Sequence, residues 1–137
     1  MNKLYSWRLI RSDEYSGAFN MAYDIKLFEQ LKLGDAKPTL RFFRWLRPTI
    51  SYGMNQKNIH SIIDFEKCKA EGVEIVKRPT GGRELLHGYD LSYSVTAKFD
   101  AFKTQSKSVN AVCTAIHHAI VKGLIGTGLE REGFYRN

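Results

Sequence analysis

Residues 76–87 read Val76-Lys77-Arg78-Pro79-Thr80-Gly81-Gly82-Arg83-Glu84-Leu85-Leu86-His87, and a cleanly alternating stretch, Asp90 to Ala97, comes soon after. The Val73–Val76 segment is a short β-forming run that feeds basic residues into a Pro-Thr-Gly-Gly turn. A second short strand leaves that turn. From Asp90 to Ala97, Leu91, Tyr93 and Val95 occupy one face and Ser92, Ser94 and Thr96 the other, the period-two pattern of a strand. These strands are sequence neighbours with no long helix between them. That favours an α+β fold with a mixed, largely antiparallel central sheet and helices packed on it over a doubly wound parallel one.

Toward the N-terminus, Tyr5 to Arg11 reads as a strand. Ser16 is placed as a helix cap. Behind it Ala18, Met21, Ala22, Ile25, Phe28 and Leu31 recur every three or four residues, an apolar helical stripe that Gly34 ends. Thr39 to Trp45 is rich in β-formers, and Ile50 to Tyr52 is a short strand ending at Gly53. Ser61 to Ala70 forms a short helix with Ile62 and Phe65 inward. Toward the C-terminus, Ser108 opens a last helix whose buried face carries Val112, Cys113, Ile116, Ala119 and Ile120. Gly123, Gly126 and Gly128 break it.

A chain of 137 residues suffices for one domain, 1–137, with a real core. Charged residues at 26% against 43% hydrophobic argue for a folded protein rather than a disordered one. The net charge of +7 favours anionic partners, but the positive residues are scattered and form no nucleic-acid tail. Aromatic residues such as Phe42, Phe43 and Trp45 lack a basic stripe and read as core, which argues against nucleic acid. No run nears the roughly 18 consecutive apolar residues of a membrane span, so no membrane role is expected. Cys68 and Cys113 form no C-x-x-C pair; with no leader pattern they point to a reducing cytoplasm. No metal site is expected: His117 and His118 are adjacent on a helix and point apart, and H-E-x-x-H is missing.

The chemistry concentrates in the glycine loop. Paired glycines let a backbone approach a ligand closely. Arg78 and Arg83 flank them, and guanidinium groups suit phosphate or carboxylate. His87 follows within reach of the same ligand. The loop is no P-loop, because the G-x-x-x-x-G-K-[ST] spacing is missing. Gly-Gly is also a common hairpin signal, so a plain turn with surface arginines stays open as the simpler reading.

The residues Arg78-Pro79-Thr80-Gly81-Gly82-Arg83, with Leu86-His87 and Leu91-Ser92-Tyr93-Ser94-Val95, resemble the signature of the biotin/lipoate A/B protein ligase family, R-P-T-G-G-R-A-V-L-H followed by L-T-Y-S-V. Asn20-Met21-Ala22 with Asp24 is similar to that family's N-M-A-x-D. Arg41-Phe42-Phe43-Arg44-Trp45, Pro48, Ser51, Gly53 and Gln56 resemble its R-x-Y-x-W…P…S-x-G-x-x-Q. The matches run in order from about Trp7 to Val95. The resemblance implies a front portion of a catalytic domain that attaches lipoate or octanoate to the lysine of a lipoyl acceptor domain or a glycine-cleavage H-type protein. ATP and magnesium join if the enzyme is a ligase rather than an octanoyltransferase. It further implies that Arg78, Thr80, Gly81, Gly82, Arg83 and His87 bind substrate.

Three departures qualify this. Glu84 stands where the family has a small residue, and Gly88 where aspartate is common. The family's downstream catalytic lysine or cysteine segment has no counterpart here, so no catalytic residue is identifiable and a second chain or segment completing the site is expected. A non-catalytic lipoate, biotin or nucleotide binding module of the same fold is the alternative.

Overall fold

Strand β1 spans Arg8–Tyr15, so it runs four residues past the expected end at Arg11; Tyr5 lies outside the described residues. The computed structural model describes residues 6–128 except Asp35 and Gln105. Contacts gather the chain into two compact units, Met1–Ala97 and Lys98–Asn137, where length argued for one domain.

In the first unit, helix α1 (Gly17–Leu33) starts as expected: the Ser16 side chain accepts from the Phe19 amide, and Gly34 closes it at φ +89°. Its buried face differs from the apolar stripe. Met21 and Leu31 are buried, but so are Asn20 and Leu27, while Ile25 and Phe28 are exposed. Strands β2 (Thr39–Trp45) and β3 (Thr49–Tyr52) follow, then helix α2 (Phe65–Ala70), β4 (Glu74–Lys77), β5 (Leu85–His87) and β6 (Ser92–Thr96).

The α+β class and mixed pairing hold, but the single, largely antiparallel sheet is corrected. The described residues form two three-stranded sheets, ordered β1-β2-β6 and β4-β3-β5. Each has one parallel and one antiparallel pair. The parallel pairs arise because α1 and α2 carry the chain back between β1 and β2 and between β3 and β4, the crossover that parallel strands require. The antiparallel partners, β6 and β5, come from the stretch around the glycine loop.

What pins α1 to the first sheet is Arg41. On β2 the residues Thr39, Arg41, Phe43 and Trp45 face inward, and Arg41 is fully buried. Its Nη1 donates to Asp24 Oδ1 at 2.9 Å and to the Asn20 carbonyl at 3.2 Å. Its Nη2 donates to Asn20 Oδ1 at 2.6 Å and its Nε to Ser12 Oγ at 3.0 Å. The guanidinium lies against the rings of Tyr23 and Phe43. Asp24 also accepts from Ser94 Oγ of β6 at 2.8 Å. One cation thus ties β1, α1, β2 and β6 together. Beside it Met21, Phe43 and Trp45 form the apolar core, with Val76 packed on it.

In the second unit, α3 (Val109–Gly126) is capped by Ser108, which accepts from the Ala111 amide. None of its residues is buried, so the expected buried face is corrected, and Cys113 is exposed. The helix is long and apolar enough to cross a membrane, with mean hydropathy 1.2 over 18 residues, although no unbroken apolar run exists. Thr114, His117, His118 and Lys122 interrupt it.

Arg41→Ala should cost about 3–5 kcal/mol, the penalty of breaking a largely buried ion pair and stripping Asp24 of its cation, measured by urea denaturation. Arg41→Lys should recover little, since an ammonium cannot reproduce the fork to Asn20 and Asp24.

Candidate functional site

The glycine loop between β4 and β5 is held from within by Arg78. Nε and Nη2 donate to the Gly81 carbonyl at 3.2 and 3.1 Å, and Nη2 also donates to the Arg83 carbonyl. Nη1 donates to the Ser51 carbonyl at 3.0 Å and to Ser51 Oγ at 3.1 Å. A guanidinium has five N–H donors, and these contacts engage them all. Partial burial draws the Arg78 pKa below its ordinary value, and the Glu84 carboxylate pushes the other way.

Two glycines are required by this packing. Gly82 sits at φ +99°, and a Cβ there would lie 2.7 Å from Arg78 Nη2. A Cβ on Gly53 would lie 2.0 Å from the Gly82 carbonyl oxygen. The loop also hydrogen-bonds across to this segment, the Met54 amide donating to the Thr80 carbonyl at 2.8 Å. Gln56 fastens the far side: its Oε1 accepts from the Gly53 amide, and its Nε2 donates to Glu84. Glu84 pairs with Arg83 at 3.7 Å, so the unusual carboxylate is neutralised and does not line the cleft described next. Hydrogen bonds from its own amide and from Gln56, with help from Arg83 and Arg78, lower its pKa against the opposing effect of desolvation.

Below the loop opens a cleft of about 520 Å³, within the size of small-molecule sites. Its apolar wall includes Met21, Phe28, Phe43, Leu85, Leu91 and Val95. Arg78, Thr80, Ser51 and His87 line it as well. His87 stacks on Trp45 with centroids 4.1 Å apart. Its Nε2 lies 2.8 Å from Ser51 Oγ and its Nδ1 3.2 Å from Asp90 Oδ2.

Of the residues expected from sequence, the structure brings Arg78, Thr80 and His87 to the cleft. Gly81 and Gly82 enter through their backbone, as Arg78's acceptor and as the positive-φ turn. Arg83 contributes its carbonyl, while its side chain is 86% exposed and outside the lining. Sequence reasoning missed Ser51 and Asp90. The motif-like spacing Ser51, Gly53, Gln56 was the available signal, and all three converge on this loop. Among the described residues no group of three or more His, Cys, Asp or Glu could hold a metal.

Gly53→Ala should displace the loop and lower the melting temperature, read by calorimetry, because backbone rather than a flexible side chain meets the new methyl. Glu84 titrates below its ordinary value in the fold, so its contribution is present above the unfolded carboxylate pKa and disappears as pH falls through the folded one. The stability gap between the wild type and Glu84→Gln should therefore close in acid; a gap constant from pH 7 to pH 3 in denaturation curves would contradict this.

Comparison with known proteins agrees with the geometry. Residues 16–134 match the family model of the lipoyl protein ligase A/B catalytic domain. The octanoyltransferase LipM of Carboxydothermus hydrogenoformans is 39% identical over 127 residues, covering 93% of this chain and 46% of that protein. Two solved structures from Thermoplasma acidophilum share the fold. One, with bound lipoic acid, superposes at TM-score 0.71 and 23% identity, covering 96% of this chain and 54% of its own. The other, a bipartite lipoate protein ligase studied with its E2 lipoyl domain, gives 0.69 and 24%, covering 92% and 47%. The chain spans about half the length of the relatives it matches. The chain belongs to the lipoyl protein ligase A/B catalytic domain family.

Proposed function

We propose that the first unit is the acyl-binding half of an enzyme that places an octanoyl or lipoyl group on the lysine of a lipoyl acceptor domain or H-type protein. The observation that carries this is the joining of an apolar cleft to an arginine-clamped glycine loop. The acyl chain occupies the wall formed by Met21, Phe43, Leu91 and Val95, and its carbonyl end meets the loop. The amides of Thr80, Gly81, Gly82 and Arg83 donate to no protein acceptor among the described residues. They are therefore free to stabilise the oxyanion that develops during acyl transfer, beside the Arg78 charge.

The nucleophile comes from outside this cleft. Among the described residues no cysteine or lysine lines it. Cys68 borders a different groove, with Ile50, Lys67, Leu85 and Leu86. Leu85, Leu86 and Leu91 are 54%, 72% and 60% exposed, an apolar surface suited to a completing segment or second chain. The bipartite relative supports that arrangement. Octanoyl transfer from a thioester is favoured by the LipM likeness; transfer from a preformed thioester needs no adenylation, so ATP and magnesium enter only if the enzyme activates free lipoate. We place the reaction in the cytoplasm, where both free thiols persist.

The absence of a thiol or amine from the cleft lining also fits the second reading, a binding module without catalysis. Calorimetry with octanoate, lipoate, biotin and ATP tests which ligand the cleft takes, and acyl transfer to an acceptor separates the two readings. The proposal expects octanoate or lipoate to bind, and Arg78→Ala to weaken binding by about 1.5–3 kcal/mol, because the loop that Arg78 holds through its own charge-assisted hydrogen bonds would have to be ordered by the ligand instead. A gel-shift assay with an acceptor domain and octanoyl thioester, or lipoate with ATP and magnesium, should show no modification by the 137-residue chain. Robust modification by this chain would show that the nucleophile is already present. Modification only after adding the part of a relative that this chain does not span would exclude the binding module.

A further inference from the structure

The side chains beneath the glycine loop form a directed network. Arg78 Nη1 can only donate, and it donates to Ser51 Oγ. Ser51 Oγ lies 2.8 Å from His87 Nε2, and His87 Nδ1 lies 3.2 Å from Asp90 Oδ2. On a second branch, Trp45 Nε1 donates to Ser92 Oγ at 2.9 Å, and Ser92 donates to the same Asp90 Oδ2 at 2.8 Å. The remaining Asp90 oxygen accepts from the Gly88 amide at 2.8 Å. Both chains of donors end on one carboxylate.

The direction follows from counting protons. Ionised Asp90 has no proton to give, so His87 Nδ1 must carry the hydrogen between them. In the neutral ring Nε2 is then bare and accepts from the Ser51 hydroxyl. Ser51 keeps a lone pair for Arg78. Any other arrangement leaves the Ser51 proton without an acceptor in the network, and Ser51 is 1% exposed, where an unpaired hydroxyl is costly. Burial raises the Asp90 pKa, but hydrogen bonds from Gly88, Ser92 and His87 outweigh it and hold the group ionised.

We propose that Asp90 is a positioning residue that fixes His87 as its Nδ1–H tautomer and, through Ser51, locks Arg78 under the glycine loop. Gly88, where the resemblance would put aspartate, donates its amide to this carboxylate. The bearing of Asp90 on acyl transfer rests on the function proposed above; the tautomer itself does not.

Asn is the informative replacement. If its oxygen takes the Gly88 amide, its NH₂ faces Ser92 and His87, so Nδ1 must accept and the ring proton moves to Nε2. If it is flipped, two N–H donors oppose each other at Gly88. Side-chain ¹⁵N correlation spectra of the full chain read the tautomer directly. Wild type should show a bare Nε2 and a protonated Nδ1 on His87, Asp90→Asn should reverse them, and Ser51→Ala should not. A wild-type His87 protonated only on Nε2, or exchanging evenly between forms, would overturn the proposal even if neither variant folded. So would an unchanged tautomer in Asp90→Asn, or a reversal in Ser51→Ala, which would make Ser51 the determinant. None of these readings uses a ligand, so they stand apart from whether octanoate binds.

Discussion

The functional end of this molecule depends on one guanidinium that is spent inward. Arg78 is a basic residue beside a pocket, which suggests a group waiting for an anion. Its five donors instead hold the carbonyls of Ser51, Gly81 and Arg83 and the Ser51 hydroxyl. The carbonyls of the turn are drawn toward the cation, and the amides of residues 80–83 have no protein acceptor among the described residues. A turn of this composition would otherwise be free to sample several conformations, and the ordering cost would fall on ligand binding. Arg78 meets that cost during folding. Its charge remains near the cleft even though its hydrogen bonds are occupied.

A second arginine does equivalent work for the scaffold. Arg41 takes a place on the inward face of β2 that an apolar residue would ordinarily fill. The interior of the first unit is correspondingly polar: Asn20, Thr39, Thr49 and Ser51 are buried with it. Such an interior is stable only when every member is paired, and among the described residues no buried side-chain polar atom lacks a partner. The two networks meet around Trp45. It packs on Phe43 in the core, stacks on His87, and donates to Ser92. Core packing and site geometry therefore share a side chain.

Much of this was legible in the sequence wherever a local rule applied. Ser16 and Gly34 bound α1 because caps act through neighbouring backbone, and Thr39–Trp45 is a strand to the residue. Apolar periodicity misjudged the buried face of α1 because Asn20 takes an interior place by hydrogen bonding to Arg41, which a hydrophobic pattern cannot register. The division into two sheets was hidden for a related reason. It depends on which strands α1 and α2 return to, a long-range pairing with no local signature. In the site, the loop and His87 were visible as a motif. Ser51 matched a motif position but carried no role, and Asp90 had neither, because a serine in a short strand and an aspartate in a turn look ordinary until the fold sets them on either side of an imidazole.

If the acyl chain lies in the cleft under the Arg78-clamped loop, as proposed, octanoate must touch its apolar wall. The most direct test is an NMR titration of the methyl-labelled chain with octanoate, reading intermolecular NOEs. Octanoate methylenes should give contacts to Met21 and Val95 methyls, with shifts in the Thr80–Arg83 amides. Contacts instead on the groove formed by Arg11, Phe42, Arg44 and Leu46, or saturation with no shift in the loop amides, would contradict it.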